Sequence, residues 1–169
     1  MTAQEASKLS ALVVAHNEEH QLAECLERLE FVDELVVVLD KCTDRSYAIA
    51  TLFTKNLISG SWDIEGERRN TGREACTGDW ILEVDADERV TRELADEIRA
   101  AIRSNRYNYF LIPFDNYVGE TLVRYGWGAS WGVSAAPRLS RKEHKRWGVE
   151  RIHPSLELTG PEGHLKNRM

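Results

Sequence analysis

The segment ELVVVLD (Glu34 to Asp40) is apolar on both of its faces. A strand of that kind needs cover above and below, which suits the middle of a parallel sheet flanked by helices. An earlier β-branched run, LSALVVA (Leu9 to Ala15), reads the same way, and WILEV, within DWILEVDADERV (Asp79 to Val90), is a third apolar strand. Between these runs the spacing turns helical. Leu22, Cys25, Leu26 and Leu29 recur on one face, with Glu18 and Glu19 expected in that helix's first turn. Thr43 and Asp44 are placed to cap a second helix through Tyr47, Ala50 and Phe53, and LISG is a short strand candidate. EGERRNTGREACTG reads as a basic-faced helix stopped at Gly78. Thr91 caps a further helix that repeats Leu94, Ile98 and Ile102, and YNYFLIPF is another strand. Alternating strands and helices predict one α/β domain with a mostly parallel sheet.

In such sheets ligands bind beyond the carboxyl ends of the strands. Three strand ends place polar groups there: His16 and Asn17, then Asp40, then Asp85 to Asp87. Carboxylates as close as Asp85, Asp87 and Glu88 repel one another and lose hydration on burial, so a compensating charge or solvent is required. Two Asp residues separated by Ala86 can direct oxygens to one centre. Mg²⁺ and Mn²⁺ prefer such ligands, and Mg²⁺ commonly takes one or two protein carboxylates and completes its shell with water and phosphate oxygens. The bland alternative is a solvated strand end whose acids cap the next helix, with Glu88 suited to that task. Arg68, Arg69 and Arg73 lie on the preceding helix, where arginine forks suit phosphate or a planar base. For Arg73 a structural pairing is expected, and Glu83, inside the strand, calls for a partner such as Arg68 or Arg69.

Bulk properties narrow the function. One core is expected for 169 residues, and a formal charge of −6 argues against a nucleic-acid binder. No apolar run approaches a membrane span, and MTAQEASK is not a signal peptide, so the cytoplasm is the expected compartment. Cys25, Cys42 and Cys76 share no C-x-x-C spacing and are expected as reduced thiols. His16 and His20 stand four apart, but Asn17 breaks the H-E-x-x-H zinc pattern. From Asp115 to Gly132 the composition shifts to glycine and aromatics, including Trp127 and Trp131; Trp147 follows, and flat rings on loops can stack on sugars. His153, before Pro154, is expected in an extended stretch that could line the site.

LSALVVAHNEEHQLAECLERL, ELVVVLDKCTDRS, ERRNTGREACTGDWILEVDADERV and PRLSRKE with VERIHPSLELTG together resemble inverting family 2 glycosyltransferases of GT-A (Rossmann-like) fold. The look is nearest to bacterial enzymes that add glucose to the lipopolysaccharide core. GDWILEVDADE is the most specific piece. The resemblance implies a nucleoside-diphosphate-sugar donor, a UDP-sugar first, a divalent Mg²⁺ or Mn²⁺ ion, and a glycan or glycolipid acceptor in cell-envelope or lipopolysaccharide core synthesis. By position it puts Asn17, Glu18 and Asp40 by the nucleotide and Arg69 and Asn70 by the base or diphosphate. Asp85 falls to the ribose or metal and Asp87 to the metal. Thr43, Asp44 and Arg45 match a family turn. Asn116, Gly119, Gly126, Trp127, Arg138 and Leu139 match the acceptor half, with His153 on that side. Residues 1–105 are thus expected to bind the nucleotide-sugar and a smaller mixed portion, 106–169, the acceptor. Glu150 aligns with an acidic position and is the expected base, with Glu120 second.

Two departures stand out. His153-Pro154 replaces the usual His-Glu, and family members continue past this end, so a C-terminally shortened chain is expected, whose missing tail would supply any peripheral contact with the inner face of the plasma membrane. Three other readings stay open. A haloacid-dehalogenase-type phosphatase also follows an apolar strand with D-x-D, but prefers Thr or Val where this chain has Arg89. A nucleotidyltransferase shares the sheet and metal logic, but usually has a Gly-rich basic loop where this chain has AHNEEH. A truncated, non-catalytic nucleotide-binding domain is the third.

Overall fold

The computed structural model describes residues 7–115 and 134–169, and between them the backbone at 117–118 and 121–122. Its strands are β1 (Leu9–Ala15), β2 (Glu34–Asp40), β3 (Asn56–Gly60), β4 (Trp80–Asp85), β5 (Tyr109–Pro113), β6 (Tyr117–Val118), β7 (Thr121–Leu122), β8 (Ala135–Arg141), β9 (Lys145–Trp147), β10 (Leu156–Leu158) and β11 (Glu162–His164). The helices are α1 (Leu22–Glu27), α2 (Ser46–Ala50), α3 (Glu65–Ala75) and α4 (Arg92–Ala101). A seven-stranded sheet runs in the order β11-β5-β8-β4-β1-β2-β3. Only β8 opposes the direction of its neighbours. Strands β9 and β10 form a separate antiparallel pair, as do β6 and β7.

The both-faces-apolar pattern is explained by two layers of cover. On one face Ala11, Val13, Val37 and Leu82 pack with Leu22, Leu26, Leu94 and Ile98 from α1 and α4. On the other, Leu12, Val14, Val36, Val38 and Ile81 meet Cys76. Period-two alternation sends neighbours along β1 to opposite layers. Helix α3 covers the second face with an unusual buried surface: Gly66, Arg69, Asn70, Gly72 and Arg73. Gly72 lets it lie close, because a Cβ there would sit 2.4 Å from Leu12 Cδ1. A helix that buries two arginines needs acids facing it, and β4 supplies them.

Several local expectations change. Glu18 and Glu19 precede α1, which starts only at Leu22, and α2 ends at Ala50, short of Phe53. The left-handed stop at Gly78 does not occur: α3 ends where Cys76 turns extended. Gly78 serves a close approach instead, since a Cβ would lie 2.6 Å from Ser10 Oγ, which accepts the Gly78 N–H at 2.9 Å. His153 has φ +54°, a left-handed bend and not extended backbone, and strand resumes only at Leu156–Leu158. Thr91 does cap α4, accepting the Leu94 N–H at 3.2 Å.

Candidate active site

Strand order reverses between β1 and β4: β2 and β3 lie to one side of β1, and the chain crosses over α3 to place β4 on the other. A crevice opens at such a switch point, beyond the carboxyl ends. The three expected strand ends meet there, because Val14 of β1 stands opposite Asp85, and Ala15 stands opposite Leu39, next to Asp40. Past β1, Asn17 takes a left-handed conformation at φ +54°, one that asparagine tolerates. Its Oδ1 accepts the N–H groups of Thr43 at 2.8 Å and Asp44 at 3.3 Å, tying the β1 and β2 loops together. His16 Nδ1 lies 2.6 Å from Asp40 O. Glu18 accepts from Gln21 at 2.7 Å.

Asp40 is buried and fully engaged. Its Oδ1 accepts the Trp62 N–H at 3.0 Å and its Oδ2 pairs with Arg68 at 2.9 Å. Arg68 is therefore not the partner of Glu83. That role falls to Arg73 at 2.6 Å and Lys145 at 2.9 Å, with Trp147 Nε1 donating at 3.0 Å and Arg69 at 3.9 Å. Burial alone would raise the Glu83 carboxyl, but Lys145, Arg73 and Arg69 bring it down to about 2. Burial depresses Lys145 to about 8 against the pull of Glu83.

Arg69 reaches past this cluster. It bonds Glu65 at 2.8 Å and Asp85 Oδ1 at 3.0 Å while lying over the Trp147 ring at 5.0 Å. Asn70 spends its amide on Trp147, donating to O at 2.8 Å and accepting the N–H at 3.0 Å. Both residues, expected beside the base or diphosphate, clamp β9 to α3, and Arg69 also orients Asp85.

Asp85 is gripped from two sides, its Oδ2 by Arg138 at 2.5 Å and its Oδ1 by Arg69. Burial works against ionisation, but the two guanidinium groups hold its carboxyl below the usual range. Arg138 also pairs with Glu88, whose Oε2 accepts the Asp85 N–H at 2.8 Å. Glu88 thus braces the turn and does not cap α4. Burial pushes it up to about 7, with Arg138 opposing and Asp85 adding.

Asp87 differs from its neighbours. It is exposed, and no hydrogen bond or ion pair holds it among the described residues. It lines a cleft of about 480 Å³ with Asp85, Glu88 and Arg89 on one side and Phe114, Asp115 and Met169 on the other. The donor set fits a hard cation in one respect: a solvent-facing carboxylate opens into a space large enough for a phosphate-bearing ligand. No group of three or more potential ligands is assembled among the described residues, so any ion there must draw most of its shell from substrate and water.

Glu150 lies outside this cleft. It is exposed, accepts from Ser155 N–H at 3.1 Å and Oγ at 2.8 Å, and is held below the usual carboxylate range by its own backbone N–H and by Ser155. His153 is exposed nearby. Glu120, Trp127, Trp131, Asn116, Gly119 and Gly126 lie outside the described residues. Asp115 and Phe114 were not expected in the site. Their only signal was position, at the carboxyl end of β5.

A family model described as "Glycosyl transferase family 2" matches residues 10–150. The lipopolysaccharide core biosynthesis glycosyltransferase LpsC of Rhizobium meliloti (strain 1021) is 35% identical over 179 residues, spanning 94% of this chain and 59% of LpsC. An uncharacterized glycosyltransferase of Rickettsia felis is 32% identical over 105 residues, 62% of this chain and 37% of that protein. The chain therefore spans less than two thirds of either relative. Among solved structures, S. aureus TarS 1–349 in complex with UDP-GlcNAc is 26% identical, with a TM-score of 0.57 over 68% of this chain and 36% of that one. With the switch in strand order at β1 and the mostly parallel sheet of the GT-A fold, the match over residues 10–150 establishes that this chain belongs to glycosyl transferase family 2.

Proposed function

We propose that the chain transfers a sugar, with inversion, from a nucleoside diphosphate to an acceptor hydroxyl, with a Mg²⁺ or Mn²⁺ ion at Asp87. The observation that carries this reading is Asp87 itself: an exposed carboxylate just past the carboxyl end of β4, unengaged among the described residues and opening on the cleft. The UDP-GlcNAc complex of TarS supports a UDP-sugar as donor, and the name of LpsC supports an acceptor in cell-envelope glycan or lipopolysaccharide core synthesis. Residues 1–105 form the donor half, since they supply all three strand ends, and 106–169 the acceptor half. A glycolipid acceptor implies peripheral contact with the inner face of the plasma membrane; no helix among the described residues is long and apolar enough to cross one.

A cation bound at Asp87 would offset charge on the departing diphosphate. The chain's own residues do the rest. Asn17 holds the β1 and β2 loops in register so that Asp40, with Arg68, walls the nucleotide side. Arg69 and Arg138 keep Asp85 ionised and fixed. The acceptor proton needs a carboxylate in the cleft. Asp115 lines that cleft, paired with Arg168 at 3.6 Å, whereas Glu150, the base expected from the resemblance, lies outside it. We therefore assign the base to Asp115, with Glu150 as the alternative that mutation must separate.

A thermal-shift panel of UDP-, GDP- and CDP-sugars, each with and without Mn²⁺, tests donor and ion together. Stabilisation by a UDP-sugar only when metal is present is the expected result. No shift with any nucleotide, with or without metal, refutes the reading. Release of inorganic phosphate from phosphate monoesters would favour a phosphatase instead.

A further inference from the structure

At the cleft a ring of contacts closes on itself. Arg138 Nη2 donates to both Asp85 Oδ2 and Glu88 Oε1; the Asp85 N–H donates to Glu88 Oε2 at 2.8 Å; and the Glu88 N–H donates to Asp85 O at 2.9 Å. The Arg138 side chain is only 13% exposed and lies over the Phe114 ring at 5.6 Å, so its guanidinium is fixed from behind. Arg69 occupies the other Asp85 oxygen at 3.0 Å. Two of the three acids in this D-A-D-E turn thus already share a cation that belongs to the protein.

We infer that Arg138 is a positioning residue acting as the site's resident cation: it fills the place between Asp85 and Glu88 that a divalent ion would otherwise take, and leaves Asp87 as the carboxylate of the D-A-D-E turn open to metal. A guanidinium nitrogen that bridges two carboxylates makes short, charge-assisted bonds, and a second cation brought to Asp85 would meet both Arg138 and Arg69. The consequence concerns order of binding. An ion held by one protein carboxylate is bound weakly, so metal enters this site with the diphosphate and not ahead of it. Arg138 further sets the turn from which Asp87 projects. The inference rests on the proposed role of Asp87, but it makes a separate claim, that bare-metal affinity is suppressed by a side chain.

The test is Mn²⁺ binding to the full 169-residue chain by electron paramagnetic resonance, with and without UDP, and no turnover is needed. The parent chain should take up Mn²⁺ at least tenfold more tightly with UDP than without it. In Arg138→Gln, Asp85 and Glu88 lose the cation they share, with Arg69 still on Asp85 Oδ1, so Mn²⁺ without nucleotide should bind at least tenfold more tightly than to the parent. Arg138→Lys, which keeps a cation but not the planar guanidinium held over Phe114, should fall between. Bare-Mn²⁺ affinity in Arg138→Gln no higher than in the parent overturns the inference. Should that variant fail to fold, parent binding of Mn²⁺ as tight without UDP as with it overturns it equally. If the parent takes up no Mn²⁺ even with UDP, the functional reading fails, while the bare-ion comparison still decides the role of Arg138.

Discussion

Replacing Glu83 with glutamine should cost far more than a surface substitution, because three cationic side chains converge on a carboxylate that is about 1% exposed. The amide keeps the shape and can still accept from Trp147, but it leaves Arg73, at 2.6 Å, and Lys145, at 2.9 Å, without a counter-charge. Breaking a buried pair by removing one partner costs roughly 3–5 kcal/mol. The lowering of the carboxyl from 4.5 to about 2 gives a similar scale, roughly 3 kcal/mol at about 1.4 kcal/mol for each pH unit. Lys145, already depressed to about 8, can relieve part of the strain by shedding its proton, whereas Arg73 cannot. The lower end, about 3 kcal/mol, is therefore expected, a fall in Tm of roughly 6–12 °C for a domain of this size. Urea unfolding at pH 7 followed by circular dichroism measures it. A loss below about 1 kcal/mol would refute the claim that this carboxylate neutralises the buried cations.

The same pair fixes the response to pH. Glu83 is depressed in the fold, so its contribution is complete above pH 4.5 and is lost as pH falls towards 2. Lys145 is depressed too, so between pH 8 and 10.5 the folded chain binds fewer protons than the unfolded one, and this group makes stability rise with pH there. In Glu83→Gln the rise should begin below pH 8. A variant whose stability followed the parent's pH profile would show that Lys145 does not depend on Glu83.

Asp87→Ala, exposed and outside this cluster, should leave Tm unchanged and lower turnover by roughly 10²–10³-fold, the scale of a lost transition-state charge stabiliser; activity within a few-fold of the parent would remove it from the metal site. Asp115→Asn should lower kcat with little change in donor KM, while Glu150→Gln should leave kcat within about threefold; the reverse pattern in initial-rate kinetics would return the base to Glu150. Gly72→Ala brings a methyl to 2.4 Å from Leu12 Cδ1 and 2.9 Å from Val38 Cγ2. Overpacking of roughly 1–3 kcal/mol should exceed the helical gain of about 1 kcal/mol, so a variant as stable as the parent by thermal melt would contradict the close seating of α3.

What could be read in advance follows from which interactions are local. β1, β2 and β4 were legible because a strand covered on both faces must be apolar on both faces, and the meeting of Asn17, Asp40 and Asp85 at one edge followed from parallel direction alone. Partner choice was not legible, because it depends on register between elements far apart in sequence. Arg68 and Arg69 are adjacent, yet helical rotation sends one to Asp40 on β2 and the other to Asp85 on β4. Lys145 and Arg138 reach β4 only through the reversed strand β8 and the turn after it, which no periodicity in the sequence announces. The polar buried face of α3 was the available signal: two buried arginines and an asparagine on a helix with no large apolar stripe require charged partners on the sheet beneath. Glu83, an acid within an apolar strand, was the matching half. Pairing those two irregularities fixes how α3 faces the sheet, and that orientation in turn brings Arg69 to Asp85 and leaves Asp87 as the carboxylate of the turn that still faces solvent.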